Sequence, residues 1–301
     1  GALAQCGQSS SSAEGMEEVS YASGDAGLGE DVLYAEGRII DGPVAGADVF
    51  LDCNGNRELD DGEAHGTSDN DGNFELSDGS TTGRVISLAL HEQPVCKLIS
   101  VGGIDQATGR NLGSLQLIAD LPEAESTKTM ITPVSTTMAG ATTITEKQQI
   151  LDKLCYGGTV EEALTLDIWE LATKHNNQQA LKQIQINMQL ALVLMAAFAD
   201  PSISDKQSQL ETMTDLLSGI AGDDEGCADL TDESTLGIVV GGVNSSADIS
   251  ALVQGNENIE NSSTLTTIKY NFEEAQGNCS LKQSIIDAVN LTDLNCTEGL
   301  S

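Results

Sequence analysis

The sequence predicts a multidomain α+β protein, an N-terminal β-sandwich followed by an all-α helical domain. Three observations predict it. From Val32 to about Leu121, short β-type segments alternate with clusters of Gly, Asp and Asn. Past a polar stretch at Glu123 to Met130 (EAESTKTM), helix-start signals recur ahead of runs with helical apolar spacing. A length of 301 residues supplies enough chain for two or three cores. The expected division is an extended arm over 1–30, the sandwich over 31–122 and the helical domain over 123–301.

Composition narrows the classes of partner. Hydrophobic residues make up 39% of the chain but aromatic residues only 3%, so the core must be aliphatic. With 47 acidic against 13 basic residues the net charge is −34, which disfavours nucleic acid and anionic lipid, both polyanions. The favoured counterparts are cations. Self-repulsion at this charge falls in high ionic strength or when divalent ions neutralise carboxylates, which suits a saline exterior. The longest strongly apolar stretch, Leu190 to Ala199, is about half the ~20 residues a bilayer requires, so no membrane span is expected.

Residues 1–30 contain no Lys or Arg and include a run of four serines, a composition that by itself stays disordered. Two functional readings stand beside that one. Leu3-Ala4-Gln5-Cys6 loosely resembles a lipidation box, with Gln5 where a small residue is usual. Alternatively the segment is an arm that lays a strand, Val19 to Ala22 or Val32 to Ala35, onto a neighbouring subunit. The opening GALAQC fits what remains once a leader is removed.

The strands expected in the sandwich are Val32–Ile40, Ala47–Leu51, Gly72–Leu76, Val85–Leu90, Cys96–Val101 and Leu115–Ile118. Asp71-Gly72 reads as a turn in which Gly supplies positive φ, after which Phe74 and Leu76 alternate onto the core face. Between the second and third strands lies the stretch with the most chemical content. Asp52, Asn54, Asn56, Asp60 and Glu63 place oxygen ligands at alternating positions and then at the end of a loop, with the Glu58 carbonyl between them. Calcium takes six to eight oxygens, and this spacing turns successive side chains inward. Asp61, Asp69 and Asp71 are secondary candidates. Magnesium fits less well, since its octahedron tolerates a multi-carboxylate cage poorly. The competing reading is that Asp, Asn and Gly are simply turn formers.

The segment GRIIDGPVAGADVFLDCNGNRELDDGE…TSDNDGNFEL resembles a module of bacterial surface proteins related to carboxypeptidase-regulatory, Sdr B-like and prealbumin-like sandwiches. The likeness covers about 40 residues. It also looks like EF-hand and dockerin loops, but Arg57 stands where an EF-hand has Gly and no flanking helices are predicted. MITPVSTTMAG at Met130 to Gly140, followed by TLDIWELA and NNQQALKQIQINMQLALVL, resembles a helical segment that follows such modules in large marine surface proteins. The Val134 to Thr137 stretch departs from its usual Leu-containing form. The resemblance implies an extracellular, structural role with no activity attached.

In the second half, capping boxes are expected at Thr145 with Gln148, Thr159 with Glu162, Ser204 with Gln207, and Ser280 with Gln283. The longest helix should run from about Asn177 to Ala199, apolar on nearly every face in its second half and ended by Pro201. A stripe of Leu210, Met213, Leu217 and Ile220 predicts another, stopped by Gly222. Shorter helices are expected over Leu230–Val243, Thr264–Ala275 and Leu281–Val289.

Seven cysteines occur without a C-x-x-C pair, which removes zinc-ribbon, thioredoxin-like and c-type haem readings. Disulfides are the better reading; six cysteines allow fifteen connectivities, of which Cys53–Cys96, Cys155–Cys227 and Cys279–Cys296 form one scheme, and the odd cysteine, Cys6 in that scheme, is free, lipidated or bonded to another chain. His65, His91 and His175 lack metal-binding partners in sequence. Trp169 and the Met-bearing helix read as core. Sequons at Asn244, Asn261, Asn278, Asn290 and Asn295 raise glycosylation of an outward face. These features together predict a secreted, disulfide-bonded, calcium-stabilised structural subunit of a cell-surface assembly such as a filament, sheath or surface layer. It would self-associate into a homopolymer rather than act as an enzyme. The alternative is an adhesion module that binds cell-surface glycans.

Overall fold

Strand β3 (Asp48–Asp52) has buried residues at four consecutive positions, Val49 to Asp52, which only a strand covered on both faces can have. In a computed structural model of the chain, β3 lies inside a four-stranded antiparallel sheet of order β4-β3-β6-β8, with β4 at His65–Thr67, β6 at Lys97–Val101 and β8 at Gln116–Asp120. The structure describes residues 35–77, 96–107, 109–122, 128–198, 205–220 and 226–261. All belong to one compact unit. The arm over 1–30, Cys6, the strand expected at 85–90, the capping box at Ser280 and the helices expected over 264–275 and 281–289 lie outside the described residues.

A second sheet contains β1 (Glu36–Ile39), antiparallel to β5 (Asn73–Glu75) and parallel to β9 (Thr129–Ile131). Its close packing dictates a glycine. A Cβ at Gly37 would sit 1.9 Å from the Thr129 carbonyl oxygen and 2.7 Å from the Phe74 ring. Gly72 takes φ 79° at the turn into β5, and Phe74 and Leu76 enter the core as their alternation predicts. Two short pieces, β2 (Val44–Ala45) and β7 (Ile104–Asp105), form a third ladder. The sequence shows neither of them, because two residues carry no period.

The chain is mixed α+β, with strands in its N-terminal part and eight helices among the described residues after them. Strand β9 falls inside the stretch expected to be all helical. One hydrophobic cluster runs from Ile39 on β1 to Ile259 in the last described helix. The seam between strands and helices is α1 (Pro133–Met138), all of whose residues are buried. Its hydroxyls complete the open edge of β8: Thr136 Oγ1 accepts from Ile118 N at 2.8 Å and Ser135 Oγ donates to Ile118 O at 2.6 Å. A sheet edge left in the interior without partners for its backbone groups costs free energy, so the Ser/Thr-rich turn is what lets β8 be covered.

Helix α2 (Ile144–Lys153) starts two residues earlier than expected, capped by Thr143 with Glu146 rather than Thr145 with Gln148. Helix α3 (Val160–Thr165) has the Thr159–Glu162 box, and α4 (Ile168–His175) follows Asp167 as N-cap. The central helix is α5 (Gln178–Ala197), buried at every position from Ile186 onward. Helix α6 (Lys206–Gly219) buries Leu210, Met213 and Leu217, and its cap is Asp205, not Ser204. Beyond α7 (Glu233–Val239), α8 (Ile249–Glu260) packs on α5. Helix α8 escapes prediction because Gly255, Asn256 and Asn258 interrupt its apolar period.

Asn187 on α5 is fully buried and holds α1 in place. Its Oδ1 accepts from Val134 N at 2.9 Å while Nδ2 donates to Gln183 O at 2.9 Å and to the Tyr156 hydroxyl at 3.3 Å. Asn187→Leu is expected to destabilise the fold by about 1–3 kcal/mol, because the Val134 amide is then buried without an acceptor. Urea denaturation measures it, and a change under ~0.5 kcal/mol would contradict the role assigned to this amide.

Candidate functional site

The candidate site is the loop between β3 and β4. Its start is set by Asp52, the last residue of β3 and only 3% exposed. Asp52 Oδ1 accepts from Asn54 N at 3.2 Å and Gly55 N at 2.7 Å, and Oδ2 accepts from Arg57 N at 3.0 Å. A carboxylate that takes three backbone amides forces the chain to curl around it. The next two turns repeat the device in miniature, with Asn54 Oδ1 accepting from Asn56 N and Asn56 Oδ1 from Glu58 N, both at 2.9 Å.

The far side of the loop closes onto the near side. Asp60 Oδ2 accepts from Asn54 Nδ2 at 2.6 Å and from Asn56 Nδ2 at 2.7 Å. Glu63 bridges the two ends, accepting from Asp60 N at 3.1 Å through Oε2 and from Cys53 N at 3.4 Å through Oε1. Five of the six expected ligand residues, Asp52, Asn54, Asn56, Asp60 and Glu63, are thus joined in one hydrogen-bonded loop. Glu58 joins through its backbone N–H. Of the secondary candidates, Asp69 and Asp71 belong to the β4–β5 turn, where Asp69 Oδ1 accepts from Asp71 N and Asn73 N.

The frame is β-type on both sides, β3 before and β4 after, so the loop is not an EF-hand. Yet the backbone at Arg57 takes φ 60°, the left-handed conformation that a glycine adopts without strain. Arg57 is kept there by what it reaches. Its guanidinium donates to Gln207 Oε1 on α6, and its carbonyl accepts from Gln116 Nε2 on β8 at 3.0 Å. Burial of the guanidinium lowers its pKa, opposed by Asp52, Glu211 and Asp205. A disulfide, Cys53–Cys96, ties the loop's first residue to the start of β6.

No family model, curated protein or solved structure matches this chain.

The chemistry of the site follows from its donors. All side-chain ligand candidates are hard oxygens, the set calcium prefers. Among the described residues, however, no group of three or more His, Cys, Asp or Glu side chains stands together as a metal-holding cluster. The loop is closed instead by amide-to-carboxylate bonds, with Asn Nδ2 facing Asp60.

The second expected disulfide, Cys155–Cys227, is also present, while Cys279 and Cys296 lie outside the described residues. Asn244 is buried and its Nδ2 donates to Ala196 O at 2.8 Å, so this sequon's amide is occupied inside the fold. None of the helices, among the described residues, is long and apolar enough to cross a membrane. Sequence reasoning passed over the buried Asp41–Arg110 pair and the surroundings of Trp169, both assembled from distant segments.

Proposed function

We propose that this chain is a secreted structural subunit of an extracellular assembly, a filament, sheath or surface layer, stabilised by calcium at the β3–β4 loop and working through subunit interfaces. The observation that carries the reading is how the loop is fastened. It is tied to β6 by Cys53–Cys96, to β8 by Gln116 and to α6 by Arg57. Ordering such a loop stiffens strands and helices together, which is a structural rather than a catalytic use. Two disulfides suit an oxidising compartment, and a net charge of −34 suits a medium rich in divalent cations. The resemblance of residues 37–76 to bacterial surface-protein modules points the same way.

Asp52, Asn54, Asn56, Asp60, Glu63 and the Glu58 carbonyl would hold the ion. Calcium takes oxygens, so binding requires Asn54 and Asn56 to present Oδ1 where Nδ2 now meets Asp60. The ion supplies charge neutralisation for three carboxylates in one short loop. At calcium a hundredfold above its Kd the stabilisation is about 2.7 kcal/mol. The expected result is that excess chelator lowers the melting temperature and shrinks the particle size seen by light scattering, while Asp60→Ala melts at one temperature with or without calcium. An unchanged melt together with unchanged particle size in chelator would count against the proposal.

A further inference from the structure

A cleft of about 670 Å³ lies between the β5-β1-β9 sheet and helices α3 and α4, well within the roughly 300–1,000 Å³ of small-molecule sites. It gathers residues that are scarce in this protein. Trp169, the single tryptophan of the chain, lines it, as do Arg38, Lys128 and Lys174, three of the 13 basic residues. Trp169 is half-buried, so part of the ring packs on the core, as expected, and part meets the cleft.

The charges of the lining cancel. Asp71, Asp167 and Glu170 oppose the three cations. Arg38 Nη1 pairs with Asp167 Oδ2 at 2.9 Å, and its Nε donates to the Asp71 carbonyl at 2.6 Å. Lys174 Nζ meets Glu170 Oε1 at 2.8 Å, and Lys128 lies 3.9 Å from Glu36. Asp167 is itself pinned, since Oδ1 caps α4 by accepting from Glu170 N at 2.9 Å. A chain carrying −34 thus has a locally neutral cleft with an indole surface and two planar polar groups, the Arg38 guanidinium and the Asp167 carboxylate, held at fixed positions.

This combination selects a class of ligand. An anion meets no surplus positive charge, because each cation is matched by a carboxylate. A purely apolar ligand strips water from the charged lining and offers no hydrogen bond in return. A neutral sugar has an apolar C–H face for the indole and paired hydroxyls for the Arg38–Asp167 and Lys174–Glu170 groups. We infer that this cleft is a binding site for a neutral oligosaccharide. The inference is independent of the calcium loop, and it places glycan contact at the junction of the β5-β1-β9 sheet with helices α3 and α4.

Trp169 makes the test direct, because all tryptophan emission of the protein comes from the cleft. The full chain is titrated with hydroxyethylcellulose, glucomannan, soluble starch and, as the anionic comparison, alginate, following emission and mobility in affinity gels. The expected result is a saturable emission change and gel retardation with at least one neutral polysaccharide, unaffected by 0.5 M salt as expected for an uncharged ligand. Trp169→Ala should weaken retardation at least about tenfold, a loss of 1.4 kcal/mol. Thr173→Arg, at an exposed position of the lining on α4, should do the same by filling the cleft, and it serves alone if Trp169→Ala does not fold. No response to any neutral polysaccharide, binding to alginate alone, or retardation that persists in the folded variants would overturn the assignment.

Discussion

Above about pH 7, where Asp41 is ionised, Arg110→Ala is expected to destabilise the protein by about 3–5 kcal/mol, because it leaves a buried carboxylate without its counter-charge. Asp41 is completely buried and Arg110 only 4% exposed, and Arg110 Nη2 meets Asp41 Oδ2 at 2.7 Å. Asp105, also completely buried, lies beside them and accepts from Gly42 N at 3.1 Å and Ala107 N at 2.9 Å. Burial raises the Asp41 pKa from 3.8 to about 7; Arg110 opposes the rise and Asp105 adds to it.

The sign of the pH dependence follows. Between about 4 and 7 the folded protein keeps a proton on Asp41 that the unfolded chain has released, so this group's contribution is greatest below the window. It is lost as pH rises through the window and levels off above about 7, with a slope of up to about 1.4 kcal/mol per pH unit. Asp41→Asn should remove that slope, and without Arg110 the window should extend upward. Denaturation of the three proteins between pH 5 and 8 measures this. Parallel curves for wild type and Asp41→Asn would contradict it.

Breaking Cys155–Cys227 by Cys155→Ser with Cys227→Ser is expected to cost about 4 kcal/mol, from the closure entropy of the loop between residues 72 apart in sequence. The bond joins the end of α2 to the segment before α7, where Ala228 N also donates to Lys153 O at 2.7 Å and Lys153 Nζ to Ile220 O at 2.7 Å. Those hydrogen bonds preserve the native arrangement, so the loss should appear as increased freedom of the unfolded chain. Guanidinium denaturation of the double variant gives the value. A change below ~1 kcal/mol would show that the cross-link restrains the unfolded chain little.

Much of this architecture is legible in local pattern. Alternation at Phe74 and Leu76 identifies β5, and apolar runs identify β3, β6 and β8. The Thr159–Glu162 box starts α3, and three-and-four spacing from Asn177 onward finds α5 within two residues at each end. The same reasoning slips at α2, where Thr143 and Thr145 both offer a hydroxyl ahead of an acidic or amide partner, and the first is the one closed, with Glu146 accepting from the Thr142 and Thr143 amides and the Thr142 hydroxyl. At α1 it fails for a different reason. TPVSTTM reads as polar, yet its hydroxyls are buried because they serve the β8 edge.

Sequence alone determined the elements with a period and the oxygen-rich loop from Asp52 to Glu63, whose residues lie within a dozen positions and meet through their own turns; it left the cysteine pairs Cys53–Cys96 and Cys155–Cys227 as one choice among fifteen connectivities, which the fold then selected. Only the tertiary structure decided what lies between elements. The Asp41–Arg110 pair joins residues 69 apart, the Arg38–Asp167 pair joins residues 129 apart, and the Trp169 cleft draws on three strands and two helices. The physical reason is that spacing along the chain constrains neighbours through backbone geometry, whereas distant partners meet only where buried apolar surface brings their elements together.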